Sequence, residues 1–452
     1  MEKNLTTGSV LKTVLFFSLP YLLSYFLQTL YGMADLFIIG QFCGVESTTA
    51  VSIGSQVMHM LTVMIVGLAM GATVMIGQAV GGGKKESAAQ TIGNTITLFL
   101  IVSIILTAVL LLCVKPIVHV MSTPKEAEAG AVSYLTICFI GIPFITAYNI
   151  IGSVFRGMGD SKRPMYFIAV ACAANIVLDY VFIGYMGLGP AGAALGTTLA
   201  QTISVVVSLF VVLRQRMGIH LKAADFRINR ETMNGIVKIG LPIAFQDGFV
   251  QIGFIVITVF ANMRGLNDAA AVGIVEKIIS ILFLVPSAML QTVSALGAQN
   301  IGAGKHDRVR RVLWYAVIMA VAWGAAAVIV METNAGFFIG MFADNAKVIQ
   351  LGSQYLHSYV WDCIFAGIHF CFSGYFCAYG LSGVSFVHNM LSILCVRIPV
   401  SYLASRYFVD TLFPMGIAPP AGSLLSAMIC IGVFLWMEKY KNYDKTENLT
   451  QT

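Results

Sequence analysis

Long apolar stretches separated by short polar ones dominate the chain. A helix that crosses a bilayer needs ~20 mainly apolar residues, and roughly twelve such runs can be read: 13–38, 50–75, 91–115, 131–154, 164–186, 190–213, 234–260, 269–295, 311–331, 349–377, 385–408 and 414–437. Six precede the charged stretch 214–233 and six follow it. The pattern predicts an all-α polytopic membrane protein of two six-helix bundles, residues 1–213 and 234–438, with a linker at 214–233 and a tail at 439–452. From Arg214 to Lys238 six basic residues alternate with Leu221, Phe226, Ile228 and Met233. That composition suits either an amphipathic segment on the inner leaflet or a solvated connector. The first run is expected to stay on the protein: it is long, holds Asp35 and lacks a small-residue cleavage site. The polar end, Asn442–Thr452, is expected to be disordered.

The two halves echo each other. Ser18-Leu19-Pro20 returns as Gly240-Leu241-Pro242. The stretch from Gly77-Gln78 to Gly83-Lys84 returns 221 residues later as Gly297-Ala298-Gln299 to Gly304-Lys305. Gly187-Leu188-Gly189-Pro190 returns as Gly416-Ile417-Ala418-Pro419. A duplicated membrane bundle is the mark of a transporter in which one half moves against the other. Glycines four apart, Gly67/Gly71 and Gly192/Gly196, have the spacing that lets helix backbones approach closely.

Composition agrees with a bilayer as solvent: 58% of residues are hydrophobic and 11% charged, against about 25% charged in soluble domains. With a cytoplasmic N-terminus, twenty basic residues fall inside, and five fall outside: Lys115, Lys125, Arg264, Lys347 and Arg406. The net charge of +6 therefore reflects topology, with both termini cytoplasmic, and gives no support to nucleic-acid binding. The nine cysteines include no CxxC and lie mostly in apolar runs, so they read as packing residues. The Gly81-Gly82-Gly83-Lys84 loop lacks the spacing of a phosphate cradle and follows a membrane helix, which argues against a nucleotide site.

A charge inside a spanning helix is costly, so each one is a candidate for function. The spans hold Asp35, Asp179, Asp247, Glu276, Lys277, Asp362 and Arg397. Asp35 and Asp179 fall at similar depth, ~8–12 Å from the outer ends of their helices, and Asn175 shares a face with Asp179. Two carboxylates and an amide can hold Na⁺ through oxygen. Alternatively, burial and mutual repulsion leave one carboxyl holding a proton. A cap or a local hydroxyl bond is the structural alternative. The positions echoing these acids fall near Ile257 and Tyr402, so the scaffold is duplicated while these acids are not. Asp247 follows the helix-loosening Pro242. Lys277 is a candidate partner of Asp362 or Asp247, either as an internal ion pair or as a substrate contact, and Arg397 reads as a contact near the break at Pro399. Tyr31, Phe245, Phe249, Phe283, Tyr355 and Phe365 could line a cavity for a flat cation or simply pack.

Taken together these residues resemble the multidrug and toxic compound extrusion (MATE) transporters over nearly the whole chain. The likeness rests on the two six-helix halves, Pro20 and Pro242, the Gln-x-x-Gly-x-Gly-Lys stretch, Arg156-Gly157-Met158-Gly159-Asp160, and Asn175-x-x-x-Asp179. The resemblance implies a V-shaped pair of bundles with alternating access, exporting amphipathic organic cations in exchange for Na⁺ or H⁺. It implies a cation site of Asp35, Asn175, Asp179 and Thr197, with Gln78 and Gln299 architectural. A monomeric protein of the cell membrane is expected, with no cofactor beyond the coupling ion. The family's glutamate eight residues after the second proline is Val250 here, so a C-lobe site of that type does not carry over, although Asp362 is compatible with one. Two other readings compete. A flippase for a lipid-linked precursor would need several cavity cations, and the spans supply Lys277 and Arg397. A membrane enzyme finds no metal motif or activated nucleophile, since His369 and His388 stand isolated.

Overall fold

The structure, a computed structural model, describes residues 5–214, 219 and 221–440. Lys3, Arg216, Lys441 and Lys445 of the orientation count, part of the linker, and the tail beyond residue 440 lie outside these. The described residues are mostly helical and include no strand. The helices are α1 (Val10–Phe42), α2 (Val45–Gly81), α3 (Lys85–Val120), α4 (Lys125–Ile140), α5 (Ile142–Gly157), α6 (Lys162–Asp179), α7 (Gly189–Arg214), α8 (Arg230–Arg264) and α9 (Leu266–Leu282). They continue with α10 (Leu284–Gly302), α11 (His306–Gly340), α12 (Ala346–Tyr359), α13 (Asp362–Ala378), α14 (Ser382–Ser392), α15 (Ile398–Tyr407), α16 (Phe413–Gly416) and α17 (Ala418–Tyr440). Two π-helical segments, Tyr180–Tyr185 and Ile393–Arg397, extend α6 and α14.

Ten helical stretches are long and apolar enough to cross a membrane, and twelve if two bent pairs each count as one. Those pairs are α4–α5, bent by 52°, and α12–α13, bent by 41°. Gly141 and Pro143 account for the first bend: a proline near the start of α5 cannot continue the hydrogen bonding of α4. Large apolar side chains such as Phe16, Ile104, Leu112 and Leu213 face outward, as expected where lipid is the solvent. All nine cysteines are free.

The chain divides into two compact units, one built on Leu19–Ala244 and one on Thr6–Ser18 with the residues from Phe245 onward. In the first, α2 and α8 touch backbone to backbone. A Cβ on Gly71 would strike the Ile236 carbonyl oxygen, and one on Gly240 the Leu68 carbonyl oxygen. Gly71→Leu should therefore lower the apparent melting temperature in detergent, with a destabilisation of about 2–3 kcal/mol. The linker end is docked rather than free. Asn94 donates to the Asp225 carbonyl at 3.1 Å and accepts from the Asn229 amide at 2.8 Å, and Thr97 donates to the Phe226 carbonyl at 2.9 Å.

In the second unit, a core of Val272, Val275, Tyr355, Leu356 and Tyr359 lies among α9, α11, α12 and α16. Lys305 donates to the Thr6 carbonyl at 2.8 Å, and Arg308 donates to the carbonyls of Thr7 and Gly8 at 2.7 Å each, which ties the N-terminal segment to α11. Arg264 pairs with Asp268 at 2.8 Å and donates to the carbonyls of Phe408, Val409 and Thr411.

The echoed glycine-lysine loops are the same helix cap made twice. Gly83 (φ 68°) and Gly304 (φ 70°) adopt the left-handed conformation that glycine takes without strain. Lys84 then donates its amide to the Ala79 carbonyl, and Lys305 donates its amide to the Asn300 carbonyl. Asp160, at the end of the Arg-Gly-Met-Gly-Asp segment, accepts from the amides of Lys162 and Arg163 and so caps α6. These motifs build the frame.

Candidate cation site

Asp35 lies in the second half of α1, past the break in hydrogen bonding that Pro20 imposes. It is buried, as are Asn175 and Asp179 on α6, one turn apart on one face. At Asp179 the helix changes character and runs on as the π segment Tyr180–Tyr185. Such wide turns are rare and concentrate at functional sites. Small residues on α7 seat this segment. A Cβ on Gly192 would meet the Phe182 carbonyl carbon at 3.0 Å, and a Cβ on Gly196 would collide with Asp179 Oδ1. The missing side chain at Gly196 is what gives the Asp179 carboxyl its place.

Thr197, next along α7, donates its hydroxyl to Asp35 Oδ2 at 3.2 Å. The Asp35 carboxyl also faces Asn175 and Asp179. Tyr31, one turn earlier on α1, interacts with Gln201 and Asp35, while Tyr134 and Cys138 of α4 and Cys172 of α6 complete the surroundings. Asp35 Oδ1, both Asp179 oxygens and both amide atoms of Asn175 are buried without a protein hydrogen-bond partner. Among the described residues, every ion pair lies elsewhere, so no Lys, Arg or His neutralises either acid. The constellation is two carboxyls, an amide oxygen and a hydroxyl in low dielectric with no internal positive charge. Hard oxygen donors of this kind suit Na⁺, and a carboxyl pair in one site also suits a shared proton.

The sequence profile of the MatE family matches residues 20–181 and 242–403, one copy in each half. The chain belongs to the MatE family. Its relatives include the probable multidrug resistance proteins YpnP and YoeA of Bacillus subtilis. YpnP is 29% identical, covering 92% of this chain and 93% of its own. YoeA is 26% identical, covering 95% of each. A solved outward-facing multidrug resistance MATE family transporter of the MOP superfamily shares the fold. It matches with a TM-score of 0.90 over 98% of both chains at 22% identity. The family expectation, the all-helical fold and a transporter's setting as a multi-pass membrane protein are borne out.

The MatE fold distributes the remaining candidates differently. Asp362 opens α13 and pairs with Arg397 at 3.4 Å, not with Lys277, which is exposed and reaches neither Asp362 nor Asp247. Sequence spacing does not say which helix face Lys277 occupies, and the structure leaves it exposed. Asp247 lies beside Gln246, apart from that pair, and Glu276 accepts from Thr258 at 3.4 Å. His369 and His388 are not isolated: their rings lie 5.6 Å apart, His369 contacts Ser423, and His388 contacts Ser373. Phe283 packs on Phe370 and Phe249 on Phe386, while Phe245 is exposed. Gln299 is buried at the end of α10, and Gln78 lends its carbonyl to the cap of α2. No residue pattern marks Ser423 or the π segments. Gly192/Gly196 carried the only usable signal and read as generic packing.

Proposed function

We propose that this MatE protein is a secondary antiporter that exports amphipathic, cationic small molecules in exchange for Na⁺ or H⁺ by alternating access. The observation that carries this reading is the buried Asp35–Asp179 pair with no internal cation to balance it. An acid pair of that kind favours whichever conformation admits a cation, so ion binding shifts the carrier between states. External Na⁺ or H⁺ entering at Asp35 and Asp179 would favour substrate release outward, and return would deliver the ion inward. The relatives' names, probable multidrug resistance proteins, support organic substrates. In this reading the protein sits in the cell membrane with both termini cytoplasmic. It works as a monomer of two lobes, 1–213 and 234–438, without a cofactor or catalytic activity.

Purified protein in vesicles, loaded with a fluorescent organic cation, tests this. Efflux should accelerate under an imposed inward Na⁺ gradient or pH gradient, and efflux indifferent to both would reject antiport. Thr197→Val removes one hydroxyl ligand and its bond to Asp35, so the half-saturating ion concentration should rise about fivefold, the equivalent of ~1 kcal/mol.

A further inference from the structure

The two units handle buried charge in opposite ways within the same architectural device. In each, the helix that includes the π segment meets a glycine of a neighbouring long helix, α7 in the first unit and α17 in the second, beside a buried acid. In the first unit the π turn follows an acid, Asp179, and Gly196 makes room for it. In the second the π segment ends on a base, Arg397, and Gly422 makes room for that: a Cβ there would lie 2.6 Å from Arg397 Cγ. One Arg397 guanidinium nitrogen donates to Ser423 at 2.7 Å and to Asp362 Oδ2 at 3.4 Å. Asp362 is fully buried and is the first residue of α13, where helix amides also favour a negative charge. The other titratable groups around this pair are Tyr355, Tyr359, Cys363 and His369, with Glu276 reaching the same tyrosines.

We propose that Arg397 is a built-in counter-ion, standing in the second unit where an external cation stands in the first. The protein then takes up a coupling ion at Asp35–Asp179 alone, because Asp247 and Glu276, which also lack a cation, are each a single, partly exposed carboxyl beside one polar side chain. This rests on the antiport reading above and adds the number of ions per cycle and the reason for it. Arg397 acts through Asp362 and is a positioning residue. Removing one member of a buried pair leaves an uncompensated charge, whereas removing both restores neutrality.

The experiment is paired neutralisation in vesicles, with the fluorescent cation as substrate and whichever gradient drives the wild type. Asp362→Asn and Arg397→Gln should each lower gradient-driven efflux at least tenfold, and the double variant should recover to within about threefold of wild type. Asp35→Asn serves as the uncoupled control. The cation-to-substrate ratio, read from the gradient at which net flux reverses, should be that of one cation per cycle in both wild type and double variant. A double variant that is monodisperse but as inactive as its parents overturns the proposal, because Asp362 would then itself bind the ion. Two cations per wild-type cycle overturn it equally. Should the double variant fail to reach the membrane, the wild-type ratio decides alone. Coupled efflux surviving in Asp35→Asn would count against the antiport site instead, and paired rescue would still decide the role of Arg397.

Discussion

Asp35→Asn and Asp179→Asn should each abolish gradient-driven efflux while leaving a folded protein. Asparagine keeps the shape of the side chain and removes its charge. Each substitution relieves a buried, unneutralised carboxylate, so apparent stability should hold or rise. Function should respond in the opposite direction. An ion drives a carrier only through its different affinity for the two states, and shifting such an equilibrium from 1:99 to 99:1 takes ~5.5 kcal/mol. Replacing one carboxyl by an amide removes half of the charge that draws the ion in, and with it much of that differential affinity. Efflux under an optimal gradient should fall at least about 100-fold, the equivalent of ~3 kcal/mol of lost coupling. Substrate binding in the absence of a gradient should stay near wild type. A thermal melt, a binding isotherm and a gradient-driven efflux trace on the same preparations check all three.

Gly196→Ala should have the second-largest effect, through a single methyl group. The added Cβ would occupy the place of Asp179 Oδ1. A short acid side chain can swing aside, so the protein should fold with only a modest loss of stability. The displaced carboxyl would no longer face Asp35. Outer-sphere changes of this kind cost a metal site roughly 10–100-fold in affinity, and the half-saturating ion concentration should rise within that range. Gly192→Ala is the matched control. Its Cβ would meet the Phe182 backbone at 3.0–3.1 Å, away from the carboxyl. That variant should lose stability and keep its ion affinity, and ion titrations of efflux by the two variants separate the cases.

The twelve spans were legible because bilayer thickness imposes a length and an apolar composition that any window can detect. The bends within two of them were less so. Gly141 and Pro143 announce the first, whereas Val360 and Trp361 at the second carry no breaker signal. Asp35, Asn175 and Asp179 stood out because intramembrane acids are rare and because they interrupt the repeat. Their meeting across α1 and α6 follows from depth and helical face, both of which sequence spacing encodes. What spacing does not encode is rotation of one helix about its axis relative to another. For that reason spacing makes Lys277 a plausible partner for Asp362, whereas the structure leaves Lys277 exposed and puts Arg397 beside the acid. The π segments escaped for a related reason: one extra residue in a turn changes the register of everything beyond it and leaves no compositional mark. That register change accompanies Asp179 in one unit and Arg397 in the other, so the chemistry of each unit lies where the regular helix pattern fails.

We propose that the coupling ion passes through Asp35 and Asp179. Ion movement tests it more directly than drug movement does. Vesicles containing a Na⁺-sensitive or pH-sensitive dye would report ion entry while the fluorescent cation leaves. Wild type should show the two fluxes rising and saturating together, and Asp35→Asn and Asp179→Asn should show no substrate-dependent ion entry. Ion entry at the wild-type rate in both variants would contradict the account.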